Sequence, residues 1–354
     1  MTQRLRHGPR SLRQLVVTAT LAVLLALAPA ALAQIGGDPE GLAGLAQLDT
    51  EALDEGVFRT AAGMVVEPVV RNGALYAVRG QSEPFEASAA LELAALVGAA
   101  TGFGAGIEQP VLDFLEEAVP QLAGNGPSVV GIERFRLTLD VTGSEEPFDL
   151  TFALALAEVR AEAFPPARHA KGSADAAIVV REFSDFQCPA CRRFNTELMP
   201  MLEASVLAGE DVRIEYHHFP LGTFPHSFRA AEAAECVADA NADDADAFWT
   251  YKDALYQRQP QWSSLSDPDT LFLTIAEEAG VVSDGVADCL AEGRHEPTVE
   301  AARVAAVALQ LRGTPSVFVG GFQLDNFADP AAYAQAIAYL ETFGADEATA
   351  GAAE

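Results

Sequence analysis

The chain has 354 residues, half of them hydrophobic, with 28 Gly, 20 Pro and four Cys. That length suits two domains with a sizeable core, and the composition excludes intrinsic disorder, collagen and a small disulfide scaffold. With 51 acidic against 22 basic residues the net charge is −29, which excludes nucleic acid as a partner and disfavours anionic lipid surfaces.

Arg4, Arg6, Arg10 and Arg13 precede an apolar run from Leu15 to Ala28, and Ala31-Leu32-Ala33 precedes Gln34. A basic segment, an apolar stretch and small residues before a cut are the layout of a secretory signal peptide, here residues 1–33. An uncleaved anchor competes, because Leu15–Ala33 approaches the ~20 residues that span a bilayer. Pro29 and the small residues favour cleavage. The expectation is export to the periplasm or the extracellular space, with no stable membrane insertion after cleavage, in a disulfide-permissive compartment.

Residues 34–61 are rich in Gly, Ala and Asp and weakly patterned. Met64–Val70 and Ala74–Val78 flank Arg71-Asn72-Gly73, a hairpin signal. Glu86–Ala99 and Gln109–Leu122 have helical spacing. Phe135, Leu137, Leu139 and Val141 alternate with polar residues, as do Phe148, Leu150, Phe152, Leu154 and Leu156, which predicts a second hairpin. Residues 34–163 therefore read as a small α+β domain. It contains neither Cys nor His. Its expected role is client binding or formation of a homodimer.

Phe164-Pro165-Pro166 breaks the periodicity, so residues 164–173 read as a linker. Beyond it, Ala176–Phe183 predicts a buried strand, a helix starts near Cys188, and Val212–His218 predicts another strand. The chain is helical in pattern from His226 to Leu311. Ser316–Val319 and Phe322–Leu324 form a short hairpin, and Pro330–Phe343 a last helix. Residues 344–354 read as an acidic disordered tail.

Cys188-Pro189-Ala190-Cys191 lies at the strand-to-helix junction. A sulfur there sits near the free N–H groups of the first turn, which favours its thiolate. Pro189 fits a position that needs no N–H. Cys191, one turn on, is placed to resolve a mixed disulfide. Zinc ligation and a static bridge are the competing readings. Zinc would need a second close ligand pair, which Cys236 and Cys289, 53 residues apart, do not offer. His217 and His218 are adjacent on a strand and face opposite sides, and His226 suits a helix start, so no metal is assigned.

The stretch Glu182-Phe183-Ser184-Asp185-Phe186-Gln187-Cys188-Pro189-Ala190-Cys191 resembles the active-site segment of the DsbA-like thioredoxin-fold oxidoreductases. Phe219-Pro220-Leu221, His226, Ala230-Ala231 and Gly313-Thr314-Pro315 follow in that family's order. The resemblance covers about residues 171–343. It implies an α/β architecture over 174–343, a thioredoxin fold with a helical insertion, preceded by the smaller α+β domain. It implies an enzyme, a thiol-disulfide oxidoreductase whose redox centre is its own cysteine pair and needs no cofactor. Cys188 would attack, Cys191 resolve, and Glu182 move protons as a desolvated acid. Thr314 and the cis-proline Pro315 would position the substrate chain. Asp185 is expected to cap the helix. Cys236 and Cys289 are read as a structural disulfide, because an export compartment favours two bridges and some family members carry a second one. Free buried thiols are the alternative. The expected partners are cysteine-containing exported proteins and a redox partner protein. A non-enzymatic chaperone on the same fold is the rival. Strongly oxidising members of the family often carry a His within the CxxC, and Ala190 supplies no such donor, which leaves the redox direction open.

Overall fold

The computed structural model describes residues 34–54, 56–208 and 210–344. The expectations for residues 1–33 and for the tail after Gly344 lie outside the described residues. Chain contacts divide the protein into two units, with the boundary between Ala157 and Glu158.

The first unit contains a short helix α1 (Leu42–Leu45) and strands β1 (Thr50–Ala52), β2 (Phe58–Thr60), β3 (Val65–Arg71) and β4 (Ala74–Phe85). Helices α2 (Ala87–Thr101) and α3 (Ala105–Leu122) follow, then β5 (Ser128–Ile132), β6 (Phe135–Thr142) and β7 (Phe148–Leu156). All seven strands join one antiparallel sheet in the order β1-β2-β3-β4-β7-β6-β5. The β3–β4 turn carries positive φ at Asn72 (49°) and Gly73 (81°), as a two-residue hairpin requires. Alternation buries Phe135, Leu137, Leu139 and Val141 on one face of β6, and Phe148 through Leu156 at every second position of β7. Gly80 opens β4 to its neighbour: a Cβ there would lie 2.5 Å from the Phe152 ring. Strands β1, β2 and β5 extend the sheet beyond the two predicted hairpins. They carry little pattern, since β1 is fully exposed and β5 contains Gly131.

The second unit builds a five-stranded sheet, with strands β8 (His169–Lys171), β9 (Ile178–Ser184), β10 (Val212–His218), β11 (Ser316–Val319) and β12 (Phe322–Gln323). The order is β12-β11-β9-β10-β8, with β9 and β10 parallel and the other pairs antiparallel. Between β9 and β10 run α4 (Pro189–Arg193), a π-helical turn (Phe194–Leu198) and α5 (Met199–Glu203). Pro200 has no N–H to give to Thr196, and the wider turn absorbs that loss, with Met199 N–H bonded to Phe194 O. A block of six helices separates β10 from β11: α6 (Ser227–Ala240), α7 (Ala247–Gln257), α8 (Gln259–Trp262), α9 (Asp269–Ala279), α10 (Val286–Ala291) and α11 (Glu296–Ala308). Helix α12 (Pro330–Phe343) ends the unit. The helical block packs on Phe186, Cys191 and Tyr216 as one apolar cluster. Cys236 of α6 and Cys289 of α10 are disulfide-bonded, with Cα atoms 5.9 Å apart.

The stretch 164–173 differs from a linker. Phe164 meets Phe318 edge-on at 5.0 Å, and residues 169–171 pair with β10 as β8. Two prolines and one three-residue strand leave no period to detect.

Candidate active site

Cys188 is the N-cap residue of α4, with Pro189 at the first helical position. Its extended φ and ψ (−71°, 124°) aim it off the helix start. Both active-site cysteines are free thiols and buried, Cys188 at 6% exposure and Cys191 at 0%. The family resemblance placed the attacking thiol at Cys188; in the structure it is only slightly more open than Cys191. Gln259 anchors this corner by donating to Phe186 O (2.7 Å) and Cys188 O (3.0 Å).

The two thiols diverge in acidity. A hydrogen bond from the Cys191 thiol works against burial, and with Thr314 and the Cys191 and Ala190 N–H groups it brings the Cys188 pKa down to about 6. Helix-start amides and the neighbouring thiol favour the Cys188 thiolate where Ala190 supplies no donor. Burial pushes the Cys191 thiol well up, and the proximity of Cys188 adds to that. The Thr314–Pro315 peptide is cis, and Cys188 Sγ donates to Thr314 O at 3.5 Å. The Thr314 hydroxyl is buried with no geometrically formed hydrogen bond among the described residues. It lies near enough to favour both thiolates.

Glu182 ends up 2% exposed in the middle of β9. Burial raises its pKa, opposed by Lys252, Ser184 and Asn195. Asn195, in the π-helical turn, donates to Glu182 Oε1 (2.6 Å) and to Cys191 O (3.1 Å). Its own Oδ1 accepts from Lys252 Nζ at 2.7 Å. The Ser184 hydroxyl, which accepts from Tyr256 OH at 3.0 Å, lies near enough to favour the ionised forms of both the Glu182 carboxyl and the Cys191 thiol.

Sequence reasoning missed Ser184, Asn195, Lys252 and Gln259. Ser184 sits inside the quoted motif, but Asn195 reaches Glu182, Lys252 reaches Asn195 and Gln259 reaches Phe186 across 13 to 73 residues. The only usable signal was Lys252, one of two lysines in the chain and placed in an apolar helix. Asp185 does not cap α4. Cys188 holds that position, and Asp185 instead accepts from Gln187 N (2.8 Å), Leu221 N (2.7 Å) and the Ser227 hydroxyl (2.7 Å). It thereby ties the loop before Cys188 to the Phe219-Pro220-Leu221 segment. Glu182 has no ion pair with Arg181, which pairs with Glu215 at 3.0 Å. Burial opposes it, yet His217, Arg213 and Arg181 hold Glu215 at about 2.

His217 and His218 do face opposite ways. His217 stacks on Phe183 (4.6 Å), and His218 turns toward Glu235 and His169. His226 precedes α6, its N–H bonded to Gln187 Oε1 at 2.6 Å.

The thioredoxin family model matches residues 165–338. Disulfide bond formation protein D of Bacillus subtilis is 24% identical over 162 residues, which is 45% of this chain and 70% of the relative. A Bacillus cereus protein described as a probable disulfide bond formation protein D is 30% identical over 164 residues, 45% of this chain and 71% of the relative. Among solved structures, oxidised BdbD from Bacillus subtilis superposes with a TM-score of 0.45 at 22% identity, over 52% of this chain and 96% of that one. On the Bacillus cereus relative, 30% identical and matched over 71% of its length, the chain belongs to the DsbA-like thioredoxin-fold family of protein-disulfide oxidoreductases.

Proposed function

We propose that the chain is an exported thiol-disulfide oxidoreductase that acts on the cysteines of exported proteins through Cys188 and Cys191. The observation that carries this reading is the geometry of the pair: Cys188 sits at the N-cap of α4 beside the cis Thr314–Pro315 peptide, with Cys191 fully buried behind it, and this setting lowers the first thiol's pKa to about 6 and raises the second's. Export rests on the layout of residues 1–33.

In the reducing direction the Cys188 thiolate attacks a substrate disulfide, forms a mixed disulfide and expels one substrate thiolate. Cys191 then passes its proton through Ser184 to the Glu182 carboxylate and attacks Cys188 Sγ. The second substrate thiolate leaves and the Cys188–Cys191 disulfide forms. In the oxidising direction each step reverses, and Glu182 returns the proton to Cys191. A stabilised Cys188 thiolate is a good leaving group and favours the dithiol form, which supports the oxidising direction. Asn195 and Lys252 hold Glu182 in place, and Thr314 with Pro315 positions the substrate backbone beside Cys188. No separate cofactor enters this scheme.

Oxidation of a reduced, cysteine-containing test protein checks it. The oxidised enzyme should convert the test protein and Cys188→Ser should fall to background. Retained cellular function in Cys188→Ser would instead favour the non-enzymatic chaperone. Self-association through the N-terminal domain, residues 34–163, is supported by β5, the end strand of its sheet among the described residues, where Val129 is 54% exposed. Sedimentation velocity over a concentration series tests it.

A further inference from the structure

His169, His218 and Glu235 come from β8, β10 and α6, and the thiol chemistry uses none of them. His169 Nε2 and His218 Nε2 each lie 2.8 Å from the same oxygen, Glu235 Oε1. One ligand atom from each residue falls within 4.8 Å of the other two. The carboxylate is fully buried, and Arg168 Nε occupies its other oxygen at 2.9 Å. Oε1 is thus left to the imidazoles, the kind of outer support that fixes a ligating carboxylate. Aromatic neighbours also orient the rings. His169 stacks on Phe248 at 3.4 Å and 2°, and His218 meets Tyr216 edge-on at 5.4 Å.

We propose that His169, His218 and Glu235 form a binding site for a divalent cation of the zinc class, separate from the cysteine pair. Two imidazole nitrogens and one carboxylate oxygen are a donor set that such ions prefer, with a fourth position left for water. Tetrahedral ligands at ~2.0–2.1 Å stand about 3.3 Å apart, so each ring needs to withdraw by about half an ångström. The cation replaces the two N–H groups that otherwise point at Oε1. One feature limits the affinity. His218 Nδ1 is buried without a hydrogen-bond partner among the described residues, so the proton displaced onto it finds no acceptor there. Loss of such a partner typically costs ~10–100-fold in affinity, which places this site below a fully supported structural zinc centre. The second His/Cys grouping, Cys236, Cys289 and His295, offers no thiolate while its cysteines are disulfide-bonded.

The test uses the full chain, stripped with chelator and held with Cys188–Cys191 oxidised so that no thiolate competes. Titration with ZnCl2 against a chromophoric chelator should show one equivalent bound. His169→Gln, which keeps a donor facing Glu235, and Glu235→Gln should each weaken that binding at least ~10-fold. In the wild-type protein the His169 and His218 ring resonances should shift with zinc, a readout that does not depend on variants folding. No stoichiometric uptake would overturn the proposal and leave a hydrogen-bonded His-Glu-Arg cluster. Uptake that both variants leave unchanged, with no shift of these two rings, would overturn it as well.

Discussion

The two units bury different things. Among the described residues, the first buries three polar side chains, Thr60, Ser82 and Thr101, each bonded to backbone within four residues. The second buries carboxylates, imidazoles and an amine, among them Glu182, Glu235, His218 and Lys252. Their partners come from remote segments, as in Lys252 to Asn195 and Gln259 to Cys188. Moving a charge out of water is costly unless it is paired, so a domain that keeps such groups inside holds them in a fixed network. The first unit is stabilised by alternation and apolar burial. The second spends part of its stability on a reactive corner.

That contrast sets the sizes of the expected effects. Cys236→Ser should destabilise the second unit by ~3–4 kcal/mol, because the bridge closes a long loop in the helical block. At that cost its thermal midpoint should fall by about 6–16 °C, measured calorimetrically, with no change in a transition assigned to the first unit. A joint fall of both transitions would show that the units unfold as one. Glu182→Gln should slow resolution of a mixed disulfide by about 10²-fold at neutral pH in stopped-flow assays, since it removes the proton acceptor but keeps the shape. An unchanged rate would move the proton elsewhere.

Lys252→Met should have a smaller effect with a distinct signature. Lys252 lowers the Glu182 pKa against burial, so its removal should raise that pKa further. The limb of the pH–rate profile that needs ionised Glu182 should then shift to higher pH. A uniform loss at every pH would instead indicate a packing role. Smallest of all, Val129→Lys on the exposed edge of the first unit should leave the exchange rate unaltered while changing any concentration-dependent sedimentation.

Local pattern made much of this architecture legible. The β3–β4 turn follows from Asn72-Gly73, the β6–β7 pair from strict alternation, and α12 from Pro330 through Phe343. What sequence hid was short or remote. Strands β1 and β8 have three residues each, too few to display a period. The cysteine pair, Glu182 and the Thr314-Pro315 corner were readable through a motif. Ser184 as the hydroxyl between Glu182 and Cys191 was not, because its role depends on which way β9 faces. His169 was invisible as a neighbour of His218, because antiparallel β8–β10 pairing alone brings residues 49 positions apart together.

In the proposed scheme Cys188 is the acidic, attacking thiol and Cys191 the protonated reserve. Its folded pKa of about 6 lies below the ordinary thiol range of ~8.5. A depressed pKa adds stability to the reduced protein that is fully present above the unfolded value and is lost as pH falls through about 6. Alkylation of the reduced protein as a function of pH, with the modified residue located by mass spectrometry, tests this directly. Labelling should fall on Cys188 with half-maximal rate near pH 6, with Cys191 unmodified until far higher pH. A midpoint in the ordinary thiol range, or first labelling at Cys191, would contradict it.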